Sequence, residues 1–365
     1  MLSILILTRY DRLGASSRVR FLQFLPTLAS RGMKFSVQPF LGNDYIKALY
    51  GRERIRISEA LGAYVRRLRM LLSTRCYDLV WVEKEALPWL PAAVELALMS
   101  DTPYVVDFDD AWFHRYDHSP SRIVRGLMAG KIDAIMRHAA VVVVGNEYLA
   151  TRARCCGARR VEIIPSVIDI NRYGPAIMPH VEPLSRKRPI VIGWIGTPIT
   201  AGYLLGVEEA FRAVAAERAV ELHVVGARAP GAFAGLPVKN VVWSEANEIE
   251  AIRAFDIGIM PLNDTVWERG KCAYKLLQVM AACRPVVGSA VGANCSVIRD
   301  GVNGFLVDRP NRWMEALTRL IDDADLRVRM GFEAFRTITD EYAIERVLPQ
   351  LASILLDAAE LRKAS

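Results

Sequence analysis

The chain has 365 residues, 52% of them hydrophobic and 24% charged, with a formal net charge of +7. That length and apolar content exclude a disordered polypeptide and leave room for two domains of ordinary size. No apolar run approaches the roughly 18 residues that span a bilayer, and none of the six cysteines forms a C-x-x-C pair, which argues against a structural zinc or a disulfide framework and for a reducing compartment.

Met1–Leu7 is too short for a leader peptide and reads as the start of a strand, Ser3–Thr8. It runs into RYDRLGASSRVR, residues 9–20, ahead of a helix predicted over Arg18–Arg31 with Val19, Leu22, Leu25 and Leu28 on one face and Gly32 as its stop. A strand, a glycine-containing loop and a helix N-terminus form an anion pocket in principle. Gly14, Ser16 and Ser17 are therefore candidate anion-binding residues, with Arg18 and Arg20 pairing a phosphate or acidic neighbours; the alternative for either serine is a helix N-cap. The next strand is Lys34–Pro39. Arg52, Arg54, Arg56, Arg66, Arg67 and Arg69 then alternate with Ile55, Ile57, Leu61, Tyr64, Val65 and Leu68, a basic amphipathic pattern. Such a helix suits an anionic lipid surface, or else packs its apolar stripe on a sheet with the arginines in water. No interleaved stacking aromatics and no recognised module point to nucleic acid.

Strands Leu79–Val82, Tyr104–Asp107, Val141–Val144 and Glu162–Ile164 complete a first Rossmann-like series. Asp107, Asp109 and Asp110 crowd three carboxylates at one strand end, which is costly unless they bind something or reach solvent. They are the candidate catalytic residues, able to orient a substrate hydroxyl or take its proton; a salt-bridging and capping cluster is the alternative. His114 and His118, four apart, lack any further ligand pattern, so no metal site is expected.

Prolines 175, 179, 183 and 189 break every period and mark a linker, 173–188. A second series follows: Ile190–Ile195, Glu221–Val225, Val241–Trp243, Ile257–Met260, Val286–Ser289 and Phe305–Val307. Gly196, Thr197 and Thr200 lie past its first strand, Gly226 past its second, and Glu248 opens a helix, either as a cap or against a ribose or base. The polar loop Asn263–Lys271 precedes a helix predicted over Ala273–Ala282. Ligands of parallel sheets lie outside the carboxyl ends of strands, where this loop belongs. Gly270 and Lys271 before a helix start suit a phosphate, and Lys275 and Gln278 share one face of that helix.

Pro261-Leu262, Lys275-Leu276-Leu277-Gln278-Val279-Met280-Ala281, Arg284-Pro285-Val286-Val287, Gly292 and Asp300-Gly301-Val302-Asn303-Gly304 occur in this order. The series resembles the nucleotide-sugar half of GT-B glycosyltransferases, specifically the retaining family four. The resemblance implies an α/β GT-B fold: two Rossmann-like domains facing a central cleft, with a C-terminal helix crossing back to the first. Residues 1–172 would form the acceptor-binding domain, 189–343 the nucleotide-sugar domain and 344–365 the returning helix. It also implies a nucleotide-diphosphate sugar as donor substrate, no cofactor or metal, a glycan or lipid-linked acceptor and a retaining transfer. The setting would be cytoplasmic, at the inner face of the membrane, in cell-surface polysaccharide or glycolipid synthesis. Four departures stand out. The family's paired acids fall on Gly270 and Gln278, its first-loop Gly-Gly is reduced to Gly14-Ala15-Ser16-Ser17, and Asp109 stands where relatives often have His. The cations usual after Gly196 are absent, leaving Lys271 as the expected diphosphate partner. These leave a catalytically silent sugar-nucleotide-binding homologue and a nucleotide-sugar epimerase as alternatives.

Overall fold

The computed structural model describes residues 2–51, 57–174 and 188–362. Residues 175–187, most of the expected linker, and Arg52, Arg54, Ile55 and Arg56 of the basic stretch lie outside them. Among the described residues, two six-stranded sheets account for all twelve strands. The first holds β1 (Leu2–Tyr10), β2 (Met33–Leu41), β3 (Leu79–Glu83), β4 (Tyr104–Phe108), β5 (Val141–Val144) and β6 (Val161–Ile163). The second holds β7 (Ile190–Ile195), β8 (Val220–Val225), β9 (Val238–Val241), β10 (Ile257–Met260), β11 (Val286–Ser289) and β12 (Gly304–Val307). Every ladder is parallel. Continuous apolar runs such as Ile4–Leu7 and Val141–Val144 fit that arrangement, because strands of a parallel sheet are covered on both faces and need no polar alternation.

The strand orders fix where ligands can sit. The first sheet runs β2-β1-β3-β4-β5-β6, so successive connections diverge at β1 and β3; the second runs β12-β11-β10-β7-β8-β9 and diverges at β7 and β10. In open α/β sheets the crevice beyond such a switch point is the binding place. In the second sheet the two faces make separate cores. Ile192, Trp194, Leu222 and Val224 pack on one side, while Val191, Ile195, Val225 and Met260 pack with Leu276, Leu277 and Met280 of the helix Tyr274–Ala281 on the other. The first compact unit comprises the chain up to Ser166, the short stretch Arg269–Cys272 and the chain from Val347 on; the second comprises Val167–Glu268 and Ala273–Arg346. Most of the long C-terminal helix Ile344–Glu360 thus belongs with the first sheet.

Three sequence expectations need correction. The helix expected over Arg18–Arg31 is broken into Ala15–Arg20, a 3₁₀ turn Leu22–Phe24 and Leu25–Ser30. Phe21 leaves helical geometry at φ −128°, and Pro26, which has no N–H to continue the ladder, instead starts the next helix. The strand expected over Val241–Trp243 lies earlier, because β8 offers β9 partners only from Leu222 to Val225; Val242 is left 85% exposed. Finally, the basic helix Ile57–Leu71 does not present all its arginines to water. Its buried stripe is Ala63, Arg67 and Leu71, at i, i+4 and i+8. The Arg67 guanidinium donates to the carbonyls of Thr8 at 2.6 Å, Gln38 at 3.0 Å and Ala86 at 3.4 Å. Burial lowers its pKa to about 9.

Candidate active site

In the second unit the site is built at the end of β7. Thr200 N donates to the Thr197 carbonyl at 2.9 Å and Thr197 N to Thr200 Oγ1 at 3.1 Å, closing a tight turn after Gly196. Lys275, in the first turn of the helix Tyr274–Ala281, donates to Thr200 Oγ1 at 3.2 Å, and its Nζ stands 4.5 Å over the Trp194 ring. Both neighbouring glycines are explained by this packing. A Cβ on Gly196 would lie 2.3 Å from the Trp194 ring and 2.6 Å from Lys275 Nζ. Gly226 has φ +83°, and a Cβ there would lie 2.3 Å from the Gly196 carbonyl oxygen. Ala273, left-handed at φ 54°, precedes the helix and offers no side-chain cap, while its carbonyl accepts from Leu276 N at 2.9 Å and Leu277 N at 3.3 Å. Gln278 is buried in the same helix. Glu248 is buried too and accepts from Trp243 Nε1 at 2.8 Å, with Arg172 at 3.8 Å. Glu268, at 7% exposure, is bound by the hydroxyls of Tyr203 and Thr265.

The carboxyl edge of the first sheet carries a denser set of charges. Arg20 grips Asp107 in a two-pronged pair at 2.8 and 3.1 Å and also donates to the Ile164 carbonyl at 2.8 Å. Burial still pushes the Asp107 carboxyl up to about 6 against the pull of Arg20. Ser17 donates to Glu83 at 2.6 Å and accepts from Tyr10 N at 3.1 Å, so it ties the first loop to β3. Ser16 bonds Asp109. Lys84 Nζ lies 2.8 Å from Asp109, 3.7 Å from Asp110 and 3.2 Å from Ser16 Oγ. Burial opposes the lysine's charge, but Asp109, Asp110 and Glu83 outweigh it and hold its pKa well above the ordinary range. Burial would likewise raise Asp109; the charge and hydrogen bond of Lys84 bring it below its usual value instead. Arg18 is buried, donating to the Arg12 carbonyl at 3.2 Å. Gly14, whose Cβ would strike Tyr10 at 2.4 Å, lets the loop fold onto β1.

The stretch Arg269–Cys272 packs in this first unit. Asn146 Nδ2 donates to the Gly270 and Lys271 carbonyls, both at 3.0 Å, and Lys271 Nζ lies 3.5 Å from Asp110. A Cβ on Gly270 would come within 2.5 Å of Ala111 N, so no acidic residue fits there without moving the backbone. The two lysines read as neighbours in sequence are thus held by different units, Lys271 by Asp110 and Lys275 by Thr200 and Trp194.

Sequence reasoning passed over the residues that follow β3. Glu85 N donates to the Glu83 carbonyl at 2.7 Å across Lys84, which has φ 64°. A three-residue turn of this hand is rare and strained, and such strain persists only where the surrounding structure holds it in place. It delivers Glu83, Lys84 and Glu85 to the site. The signal available in sequence was a run of alternating charges directly after an apolar strand. Glu85 is ringed by Lys131 at 2.6 Å, Trp112 Nε1 at 2.7 Å and the Tyr116 hydroxyl at 2.7 Å. His114, Asp117 and His118 come close enough to hold a cation. Both His114 nitrogens, however, are engaged, Nδ1 by Asp117 and Nε2 by the Tyr148 hydroxyl, each at 2.8 Å, and Arg152 already neutralises Asp117 at 3.2 Å.

Comparison with known proteins matches residues 187–323 to the family Glycosyl transferases group 1 and residues 44–166 to the Glycosyl transferase 4-like domain. The D-inositol 3-phosphate glycosyltransferase of Corynebacterium glutamicum is 32% identical over 84 residues, 22% of this chain, and the match spans 20% of that relative's length. Among solved structures, the sucrose-phosphate synthase of Thermosynechococcus elongatus superposes with a TM-score of 0.70 at 15% identity, covering 100% of both chains. The HepE protein of Anabaena, solved in complex with UDP-glucose, superposes with a TM-score of 0.71 at 16% identity, covering 98% of this chain and 100% of its own.

Proposed function

The chain belongs to the GT-B glycosyltransferases of group 1, and we propose that it moves a sugar from a nucleotide-diphosphate sugar to a glycan or lipid-linked acceptor. The observation that carries this reading is Lys275, set on Trp194 and Thr200 beside the Gly196 turn at the switch point of the second sheet. Breaking the anomeric C–O bond builds negative charge on the departing diphosphate. A fixed cation with loop and helix amides around it stabilises that charge, and one preorganised donor of this kind lowers a barrier by about 3–4 kcal/mol. Thr197, Thr200 and Lys275 are assigned to the diphosphate, with Gly196 and Gly226 letting it approach the backbone. Glu248 and Gln278 are assigned to the nucleoside, and Glu268 to the donor sugar in place of the acid excluded at Gly270. On the first unit, Asp109 and Asp110, held by Lys84 and Lys271, are assigned to the acceptor hydroxyl. Asp107 is committed to Arg20 and positions that strand end.

Retention of anomeric configuration, independence of metal, and assembly of surface polysaccharide or glycolipid at the cytoplasmic membrane face complete the proposal. Membrane contact would use the exposed face of the helix Ile57–Leu71, where Leu61 and Val65 flank Arg66 and Arg69; buried Arg67 is not part of it. A thermal-shift screen with UDP-, GDP-, ADP- and dTDP-sugars, followed by product analysis, tests the function. One sugar nucleotide should raise the melting temperature and yield free nucleoside diphosphate with a glycosylated acceptor. Conversion of the sugar without transfer would make the protein an epimerase, and binding without turnover a silent homologue.

A further inference from the structure

The switch point of the first sheet carries a cluster that the donor chemistry does not use. Arg9 at the end of β1 lies 4.3 Å from the Trp112 ring and 5.5 Å from that of Tyr10, and Tyr10 stacks on Tyr45 at 6.3 Å. Arg115 is sandwiched between Trp89 and Trp112, with its guanidinium 4.8 Å from each ring. The two arginines differ in one respect. Arg9 faces Glu85 at 3.5 Å, whereas among the described residues Arg115 has no carboxylate partner, and its Nε is buried without a hydrogen bond. Glu85, whose charge favours the Arg115 cation, makes no ion pair with it and is instead engaged by Lys131, Trp112, Tyr116 and Arg9. Burial, and next the charge of Arg9, lower the Arg115 pKa, so this cation is held at a cost that an anion would relieve. Trp89 adds a second irregularity: it is 47% exposed and has φ 62°, a conformation that bulky residues rarely adopt.

An exposed aromatic face takes the C–H face of a sugar ring, which half-exposed Trp89 can offer, whereas Trp112 is buried under Arg9 and Arg115 and serves to hold the guanidinium, whose N–H groups suit an oxyanion. We infer that Arg115, steadied on the buried Trp112, and the half-exposed Trp89 form an acceptor subsite for a sugar bearing an oxyanion, either a phosphate ester or a uronic carboxylate. The word acceptor rests on the transferase reading above; the preference for a charged sugar does not.

The test uses the full chain in excess UDP, so that the donor site is filled, and follows tryptophan fluorescence during titration with glucose 1-phosphate, glucuronate, glucose and inorganic phosphate. At least one charged sugar should bind ten- to hundredfold more tightly than glucose, the range expected for a charge-assisted hydrogen bond, and the two charged probes distinguish phosphate from carboxylate. Arg115→Gln should abolish the preference. Trp89→Ala, at a half-exposed position, should weaken charged and neutral sugars alike, and UDP affinity should stay unchanged in both variants. Equal binding of charged and neutral sugars, no saturable binding of the charged ones, or a preference that survives Arg115→Gln in a folded variant would each overturn the inference. Inorganic phosphate binding as tightly as the sugar phosphate would overturn its sugar component. UDP, GDP, ADP and dTDP are each titrated alone first, the one that binds then replacing UDP above: a chain that ignores all four yet prefers charged sugars refutes the transferase reading and leaves this subsite standing.

Discussion

Replacing Gly226 with alanine tests whether the turn after β7 is shaped by packing between two backbones, and the chain provides its own control. Gly226 and Gly235 have nearly the same φ, +83° and +80°, and belong to the same compact unit, so they report on one unfolding transition. Around Gly235 a Cβ would meet nothing within 4 Å, whereas at Gly226 it would press to 2.3 Å from the Gly196 carbonyl oxygen and 3.2 Å from Trp243 Cβ. Gly235→Ala therefore reports the cost of a positive φ alone, about 1–2 kcal/mol. Gly226→Ala adds forced movement of packed atoms, about 1–3 kcal/mol more. In a unit of this size each kcal/mol moves the melting temperature by about 2–4 °C. The carbonyl displaced is that of Gly196, next to the turn on which Lys275 leans. Gly226→Ala should thus lose nucleotide-diphosphate affinity by about tenfold or more, since small misplacements in a preorganised site are costly, and Gly235→Ala should not. Differential scanning calorimetry and isothermal titration together read both effects. Equal melting temperatures for the two variants, or full affinity in Gly226→Ala, would refute the packing argument.

Further outcomes follow from the charges. Glu95 accepts from the amides of Ala86 at 2.6 Å and Leu87 at 2.9 Å, and burial raises its pKa from 4.5 to about 7. The folded state therefore holds its proton, and its contribution is complete below about pH 4.5 and lost as pH rises through about 7, by up to about 3 kcal/mol. Glu95→Gln should remove that slope; urea midpoints at pH 5 and 7.5 that change in parallel for both proteins would contradict it. Asp109→Asn and Asp110→Asn should leave nucleotide binding intact while transfer falls about 100-fold or more, the scale of general acid–base loss; near-normal transfer by both would return these carboxylates to a structural role. Activity is expected to survive EDTA, because Lys275 and the turn amides supply the positive charge; loss in chelator with rescue by Mg²⁺ would contradict this. Anionic liposomes should retain the protein at low salt and release it as screening rises, with Arg66→Glu combined with Arg69→Glu abolishing retention; equal binding to neutral vesicles would remove the electrostatic argument.

Much of the scaffold was legible because parallel strands are short apolar runs ended by glycines and charges, as Val141–Val144 and Val286–Ser289 illustrate. The turn at Gly196 and the close approach at Gly226 could likewise be placed, since both sit directly past a strand. What escaped notice depends on tertiary context. Arg67 occupies a helical stripe position that periodicity assigns to the core, yet its charge suggested the surface; three carbonyls converging from separate strands and a loop are invisible in sequence. Gly270 stands where the family resemblance implied an acid, and only its approach to Ala111, about 160 residues distant in the chain, explains the glycine. Lys84 required a strained backbone to reach Asp109, and no propensity anticipates a strained turn. Arg115 became conspicuous only when its missing carboxylate could be checked in three dimensions.

The central claim is that the turn after β7 and Lys275 hold the diphosphate of a sugar nucleotide. Isothermal titration of UDP, GDP, ADP and dTDP into the wild-type chain and into Lys275→Ala tests it most directly. One nucleotide should bind saturably to the wild type. The variant should keep its melting temperature within a few degrees and lose about ten- to hundredfold in affinity, as expected for a charge-assisted contact to phosphate. Wild-type affinity in a folded Lys275→Ala chain, or no binding of any of the four nucleotides to the wild type, would contradict the account.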